Sequence, residues 1–469
     1  MSKEKNLFKN IVIYAIGNFS SKFLSFILLP FYTFYLSTND YGYFDLITTS
    51  LMLITPLVTF QIFDGLYRYL LTANDETEKA QIISNSLVIV FRNLIIFNLI
   101  YLAATFLVDF QYKYLILLQL DASIIANLWM QIARGLRNNV KYSMAGILMT
   151  AVVLGGNLIF IIFFKFRVNG LIISNILAAL MVMVFLESSL KIRNFIHFKQ
   201  RERHFLKELT SYSFPLVPNA LSWWFMNVSD RYLLNYFKGI EANGIYAVAN
   251  KFPSIIILVN SIFNMAWQES AISEYNSRDR DQFYTKTFNR IFRLEFTVIF
   301  VLLAFTRLIM SYMVNSKFSS AWLYIPFLYF GAVFSTFSTF YGTGYQSSKE
   351  TKGAFYTTAY GALLNLGINL ILTPYIGIQG ASLATMLAFL VVWLIRIHQT
   401  KKYFTIRIDR VNLIILPLIA LIFTWLYYQN YPYTQPLLMS ASIILFIVFN
   451  RELLAATPLS RLKGWNKGR

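Results

Sequence analysis

The chain has 469 residues, 57% of them hydrophobic and only 13% charged, with a formal net charge of +19. Soluble domains are about a quarter charged, so the composition excludes an ordinary soluble protein. Cysteine is absent, which excludes disulfides, thiol catalysis and cysteine-ligated metal. The histidines (His197, His204 and His398) all fall near predicted cytoplasmic ends, so no metal or other cofactor is expected.

Taken in chain order, apolar segments predict fourteen membrane spans: 11–36, 43–71, 81–107, 113–133, 143–164, 170–190, 211–236, 244–268, 289–313, 321–346, 354–373, 380–398, 411–428 and 437–454. About 20 apolar residues cross the hydrocarbon as a helix, and lipid satisfies no backbone polar groups. The expected fold is therefore an all-α polytopic membrane protein. Met1–Asn10 is basic, but the apolar run that follows is too long for a signal peptide and lacks a small-residue cleavage site, so the first span should stay in the membrane.

With the N-terminus inside, the cytoplasmic segments carry 30 Lys and Arg, against Lys113, Lys165, Arg167, Lys238 and Lys317 outside. This bias predicts both termini in the cytoplasm. It also explains most of the positive charge without nucleic acid. No loop is large enough for a catalytic domain outside the membrane, so a transporter is expected rather than an enzyme. The longest connection, RNFIHFKQRERHFLKEL (193–209), is a basic surface segment.

Two stretches echo each other at an offset of about 202 residues: STNDYGYFDLIT (37–48) and GIEANGIYAVAN (239–250). A second pair, FKFRVNGLIISNILAAL (164–180) and TPYIGIQGASLATMLAF (373–389), lies about 210 residues apart. In each pair the glycine is expected at a tight turn with positive φ. Repeats of six helices share their orientation, which implies two lobes related by a pseudo-two-fold normal to the membrane, with a site between them. The predicted division is 1–209 and 210–400, followed by 401–469 with the last two helices and a basic tail.

Beyond the 35 basic residues assigned to the loops and span ends, six stay within predicted spans: Lys22, Arg68, Arg92, Arg231, Lys251 and Arg307. A charge at mid-bilayer costs about 2.5–3.5 kcal/mol even on lenient scales, so each should face a partner or a cavity. Tyr14, Asn18, Ser21, Lys22 and Ser25 form a polar stripe at three- and four-residue steps. Lys22 is about 16 Å into its span at helical rise and either lines a cavity or binds a neighbouring helix. Span 7 brings Asn227, Asp230 and Arg231, and span 8 brings Asn250 and Lys251; Asp230 and Lys251 are near enough to the connecting turn to pair. Arg68 is one turn from Asp64, within reach of an intrahelical pair. Asp121 reads as a packing partner of Arg92 or as a proton-coupling carboxylate, and Arg307 as snorkelling to the outer interface. The run FSTFSTFYGTGYQ (334–346) suits close helix packing or a sugar-binding wall.

SYSFPLVPNALSWWFMNVSDRYLLNYFKGIEANGIYAVANKFP (211–253) resembles the signature stretch of bacterial oligosaccharide flippases of the polysaccharide-transporter family, relatives of the multidrug (MATE) exporters and the lipid II flippase. GNFSSKFLSFILLPFYTFYLSTNDYGYFDL (17–46) and QIARGLRNNVKYS (131–143) resemble the same family, as does the arrangement of two six-helix lobes plus a final pair. The resemblance implies an inner-membrane flippase for an undecaprenyl-diphosphate-linked glycan of the O-antigen or capsule type, working beside a polymerase and assembly proteins. It implies a cleft with Lys22, Arg231 and Lys251 as its cations and Asn18, Asn227 and Asn250 beside them. Asp230, Arg68, Arg92 and Asp121 form a second tier. A MATE-like drug or cation exporter, which should concentrate carboxylates in its cleft, and a membrane-embedded glycan polymerase or acyltransferase are the alternatives.

Overall fold

The computed structural model describes residues 26–197, 203–348, 350, 352–429, 431 and 433–455, and every described regular element is helical. Asn18 and Lys22, with the polar stripe of the first predicted span, lie outside the described residues. Eleven described helices are long and apolar enough to cross a membrane, or twelve if Ser316–Leu323 and Ile325–Ser347, which meet at 54°, form one bent span. This is a multi-pass membrane protein. The helices of predicted spans 1 and 7 are not in that tally, the first because most of it is outside the described residues and the seventh because it is broken.

The described chain falls into two compact units that divide at Ala247 and Val248. The N-terminal unit contains α1 (Leu29–Tyr35), α2 (Thr38–Thr59), α3 (Ile62–Thr72), α4 (Glu76–Leu107), α5 (Lys113–Gly135), α6 (Asn139–Leu158), α7 (Arg167–Leu190), α8 (Arg203–Ser213), α9 (Val217–Val228) and α10 (Asp230–Lys238). Helix α11 (Ile240–Ala249) runs across the division. The C-terminal unit contains α12 (Pro253–Ser273), α13 (Arg280–Met313), α14 (Ile325–Ser347), α15 (Lys352–Ile376), α16 (Ile378–Thr400), α17 (Arg410–Tyr428) and α18 (Thr434–Ala455).

The first unit is centred on branched aliphatic residues of α4, α5 and α7, among them Ile83, Leu87, Ile124, Leu128, Ile172 and Val182. The second is centred on rings: Phe288, Phe292, Phe337, Phe340 and Trp393 interlock, and Trp267 stacks on Phe340 with centroids 4.0 Å apart. The hydroxyl-rich run 334–346 supplies Thr336, Phe337, Ser338, Phe340, Tyr341, Thr343 and Tyr345 to this buried core. Of its two readings, helix packing is the one observed.

Several predicted spans are interrupted. Span 2 breaks where Phe60 and Gln61 take left-handed conformations (φ 51° and 55°). Span 7 is interrupted at Ser229 between α9 and α10, and span 8 between α11 and α12, where Pro253 opens the next helix. Proline lacks the N–H that a continuous helix needs. Pro30 and Pro218 likewise stand at the first positions of α1 and α9, and Pro215 lies in the single 3₁₀ turn before α9.

The paired glycines differ from expectation. Positive φ occurs at Gly239 and Gly377, whereas Gly42, Gly244, Gly170 and Gly380 lie within helices. What those four supply is room. A Cβ on Gly170 would stand 2.9 Å from Phe160 of the preceding segment, and one on Gly380 2.7 Å from the backbone of Leu372. Each glycine thus lets its helix lie close against the segment that precedes it.

Candidate functional site

The most ordered constellation of candidate residues lies in the N-terminal unit, where α2, α10 and α11 converge. It begins with a close backbone approach. A Cβ on Gly42 would be 2.2 Å from the carbonyl oxygen of Ile240, and one on Gly244 would be 2.0 Å from that of Thr38. The glycines of the first echo therefore face each other across one helix crossing. Asn243 donates its amide to the Gly42 carbonyl at 3.0 Å, and Thr38 donates to Glu241 at 3.3 Å. The start of α2 is fixed by a capping box between Ser37 and Asp40, a reciprocal pairing that satisfies free N–H groups.

One turn further along α2, Asp45 meets Arg231. The Arg231 Nε donates to Asp45 Oδ2 at 2.8 Å, and its Nη1 lies 3.4 Å from Asp230 Oδ1. Nη1 also donates to the carbonyl of Asn227 at 3.3 Å. The other oxygen of Asp230 accepts the hydroxyl of Tyr246, which is fully buried and presents its ring 5.6 Å from the guanidinium. The Arg231 side chain is 12% exposed, Asp45 20% and Asp230 3%. Two further contacts align α9 and α10 on α2: Trp224 donates to the Thr49 carbonyl at 2.9 Å, and Tyr232 shares a hydroxyl hydrogen bond with Ser50. Residues 38, 42, 45 and 49 share a face at helical spacing, with Ser50 beside it, so this side of α2 receives most of the segment.

This geometry revises the electrostatics expected for span 7. Arg231 does not leave a net positive charge, because Asp45 joins Asp230 around it. Asp45 was missed although it stands within the motif STNDYGYFDL, three residues after Gly42 and on the same face of α2. The amide of Asn227 turns back to the carbonyl of Trp223 at 2.8 Å, with the residue exposed. Lys251 and Asn250 occupy the break between α11 and α12. Arg231 thus lies beside the join of α9 and α10, and Lys251 in the join of α11 and α12.

The second tier is more scattered. Arg68 and Asp64 are both exposed on α3 and form no ion pair among the described residues; the Arg68 guanidinium sits over the Tyr212 ring at 5.6 Å. Arg92 and Asp121 do not pair either. Asp121 accepts the Asn98 amide at 2.8 Å, while Arg92 folds onto Asn93 at 3.1 Å on an exposed strip with Phe91, Ile95 and Ile96. Arg307 lies 3.9 Å from the Trp322 ring centre and donates to the Gln429 carbonyl at 3.4 Å.

Among the described residues of the C-terminal unit, two buried ionisable side chains were not singled out from the sequence. Arg396, expected in a loop, is inside α16 and 5% exposed. Its guanidinium donates to the Ser338 carbonyl at 2.9 Å and to the hydroxyls of Thr357 at 3.0 Å and Thr358 at 3.1 Å. It lies over Gly342, where a Cβ would come within 2.8 Å of Nη1. Glu295 on α13 is 4% exposed, with the Asn260 side chain beside it and Oε2 left without a hydrogen-bond partner. Both lie near a predicted span end, where charged residues ordinarily face water.

The described residues form a bundle of apolar helices with polar groups at the joins between helices. Several solved membrane-protein structures share this fold. A multidrug-resistance MATE transporter in an inward-facing conformation superimposes with a TM-score of 0.69 at 13% identity, over 83% of this chain and 97% of that one. The lipid II flippase MurJ, in an inward closed conformation, gives 0.68 at 16% identity over 94% and 100%. A MOP transporter from Pyrococcus furiosus, described as having a binding pocket of reversed polarity, gives 0.59 at 16% over 84% and 95%. No curated protein sequence matches. The profile of the polysaccharide biosynthesis protein family matches residues 7–268, and the MatE profile matches 215–371. The chain belongs to the polysaccharide biosynthesis protein family.

Proposed function

We propose that the protein is a flippase that carries a polyprenyl-diphosphate-linked oligosaccharide from the cytoplasmic to the outer leaflet of a bacterial plasma membrane, for surface polysaccharide assembly. The observation that carries this reading is the family match over 7–268, which includes all three motif stretches and the Arg231 constellation. The cargo unites a polar glycan, a dianionic linkage and a lipid tail. Lys22, Arg231 and Lys251 are assigned to the diphosphate, because charge-assisted hydrogen bonds to phosphate are stronger than neutral ones. Asn18, Asn227 and Asn250 are assigned to the glycan.

Asp45 and Asp230 refine the role of Arg231. A buried arginine already matched by two carboxylates stays charged and fixed in orientation, and a diphosphate can displace one of them rather than meet an uncompensated cation. Two six-helix lobes, 1–209 and 210–400, would rock about the site, with both termini cytoplasmic. Outward movement of an anion is favoured by a potential negative inside, worth about 2.3 kcal/mol per charge per 100 mV. Polymerase and assembly proteins would act on the delivered glycan.

A second reading has specific support. Carboxylates outnumber Arg231 at its own site, and the MatE profile covers 215–371. Both suit a MATE-like exporter of cations. Transport in proteoliposomes separates the two: a flippase moves a defined lipid-linked oligosaccharide and leaves organic cations in place. Arg231→Ala and Lys251→Ala, at normal membrane abundance, should each lower glycolipid transport at least about tenfold, the loss of one charge-assisted contact. Full activity in both variants would remove these residues from the diphosphate site.

A further inference from the structure

At one end of the C-terminal unit, Tyr345 and Glu350, the first residues of α15, and the end of α16 with the residues after it line an open cavity of about 1000 Å³. Its wall carries Lys352, Lys401, Lys402 and His398 against a single acid, Glu350. Tyr345 and Tyr403 form the floor with ring centres 5.9 Å apart, and the Tyr345 hydroxyl is fixed by donating to Gln399 at 2.8 Å. Gly353 lets the first turn of α15 lie against Tyr345, since a Cβ there would be 2.4 Å from that ring. The free N–H groups and positive dipole end of α15 therefore open at the same place.

One anion already shows what the cavity accepts. Glu350 Oε2 takes hydrogen bonds from Lys402 at 2.7 Å and from the Tyr403 hydroxyl at 2.6 Å. That hold is weak, because the Lys402 and Glu350 side chains are 59% and 61% exposed and water screens such pairs. Lys352 and Lys401 have no ion pair or hydrogen bond among the described residues. The lining thus keeps two cations free beside a carboxylate that an incoming anion can replace.

Beyond the cavity, the side of α15 that carries Lys352 is apolar and exposed. From Lys352, steps of four, eight and eleven residues along α15 reach Tyr356, Tyr360 and Leu363, which are 55%, 56% and 67% exposed. Those steps keep all four residues on one side of the helix. A soluble anion would use only the basic half of this surface. We propose that the cavity seats an anionic membrane lipid, with its phosphate on Lys352, Lys401 and Lys402 and its acyl chains along Tyr356, Tyr360 and Leu363.

The test is native mass spectrometry of the full-length protein in detergent, titrated with phosphatidylglycerol, with phosphatidylcholine of the same chains, and with inorganic phosphate as competitor. Phosphatidylglycerol should be retained at least about tenfold more tightly than phosphatidylcholine. Lys352→Ala combined with Lys401→Ala should abolish that preference, while Glu350→Gln, which removes the internal competitor, should strengthen it. Equal retention of the two lipids, or an unchanged preference in the double variant, overturns the proposal. So does displacement of phosphatidylglycerol by millimolar inorganic phosphate, which would make the site one for soluble anions. The opposite signs expected of the two substitutions keep a folding defect from imitating the result.

Discussion

Arg231 in the N-terminal unit and Arg396 in the C-terminal unit are both enclosed by helices, yet different chemistry holds them. Arg231 is matched by carboxylates from two helices, Asp45 and Asp230. Arg396 donates only to neutral oxygens, those of Ser338, Thr357 and Thr358. The two threonine hydroxyls also bond back to carbonyls one turn earlier, of Gly353 and Ala354, so they keep partners if the arginine is removed. A site built on opposite charges fails when one member is lost; a site built on neutral dipoles tolerates losing its ion. The first is suited to exchanging one anion for another, and the second to fastening three helices.

The largest expected effect follows from breaking the first arrangement. Asp230→Ala leaves Arg231 paired with Asp45 alone and removes the charged acceptor of the buried Tyr246 hydroxyl, and should destabilise the protein by about 3 kcal/mol, the upper end for a buried hydrogen bond to a charged group. Thermal unfolding in detergent measures it, and partial restoration by the added change Tyr246→Phe would show that the lost acceptor is responsible. Gly244→Ala should come next, at about 1–3 kcal/mol, because its Cβ would collide with the Thr38 backbone at the crossing that delivers Asp45. Arg396→Met should stay within about 1 kcal/mol, since apolar replacement of a buried ion is often neutral. A loss as large as that of Asp230→Ala would erase the contrast.

The smallest effect concerns the exposed pair at the cavity mouth. Hydrogen bonds from Lys402 and Tyr403 hold the Glu350 carboxyl below its usual range. A depressed carboxylate stabilises the fold above its unfolded value, near about 4.3, and this contribution disappears as pH falls through the lower folded value. The stability difference between the wild type and Glu350→Gln should therefore be present at pH 7 and vanish on strong acidification. A difference that grows with acid would contradict the assignment.

Much of the fold was legible because lipid imposes a simple code: apolar length, short polar connections and basic loops. Long-range pairings were not. Nothing local marks Asp45 as the partner of Arg231 across 186 residues, and the hydropathy of its helix tolerates one carboxylate. Arg396 was assigned to a loop because basic residues near span ends ordinarily face water, whereas α16 continues to Thr400 and buries it. The glycines of the first echo were visible, but their use was not: positive φ is inferred from neighbours in sequence, while close approach depends on which helix arrives opposite.

The most direct test of the central claim is transport by the purified protein in proteoliposomes, supplied on one face with a defined polyprenyl-diphosphate oligosaccharide and followed by enzymatic trimming of the glycan on the other. The proposed function predicts protein-dependent appearance of the glycan on the far leaflet, lowered at least about tenfold by Arg231→Ala, and no accumulation of organic cations. Efflux of cations with no movement of the glycolipid would contradict it.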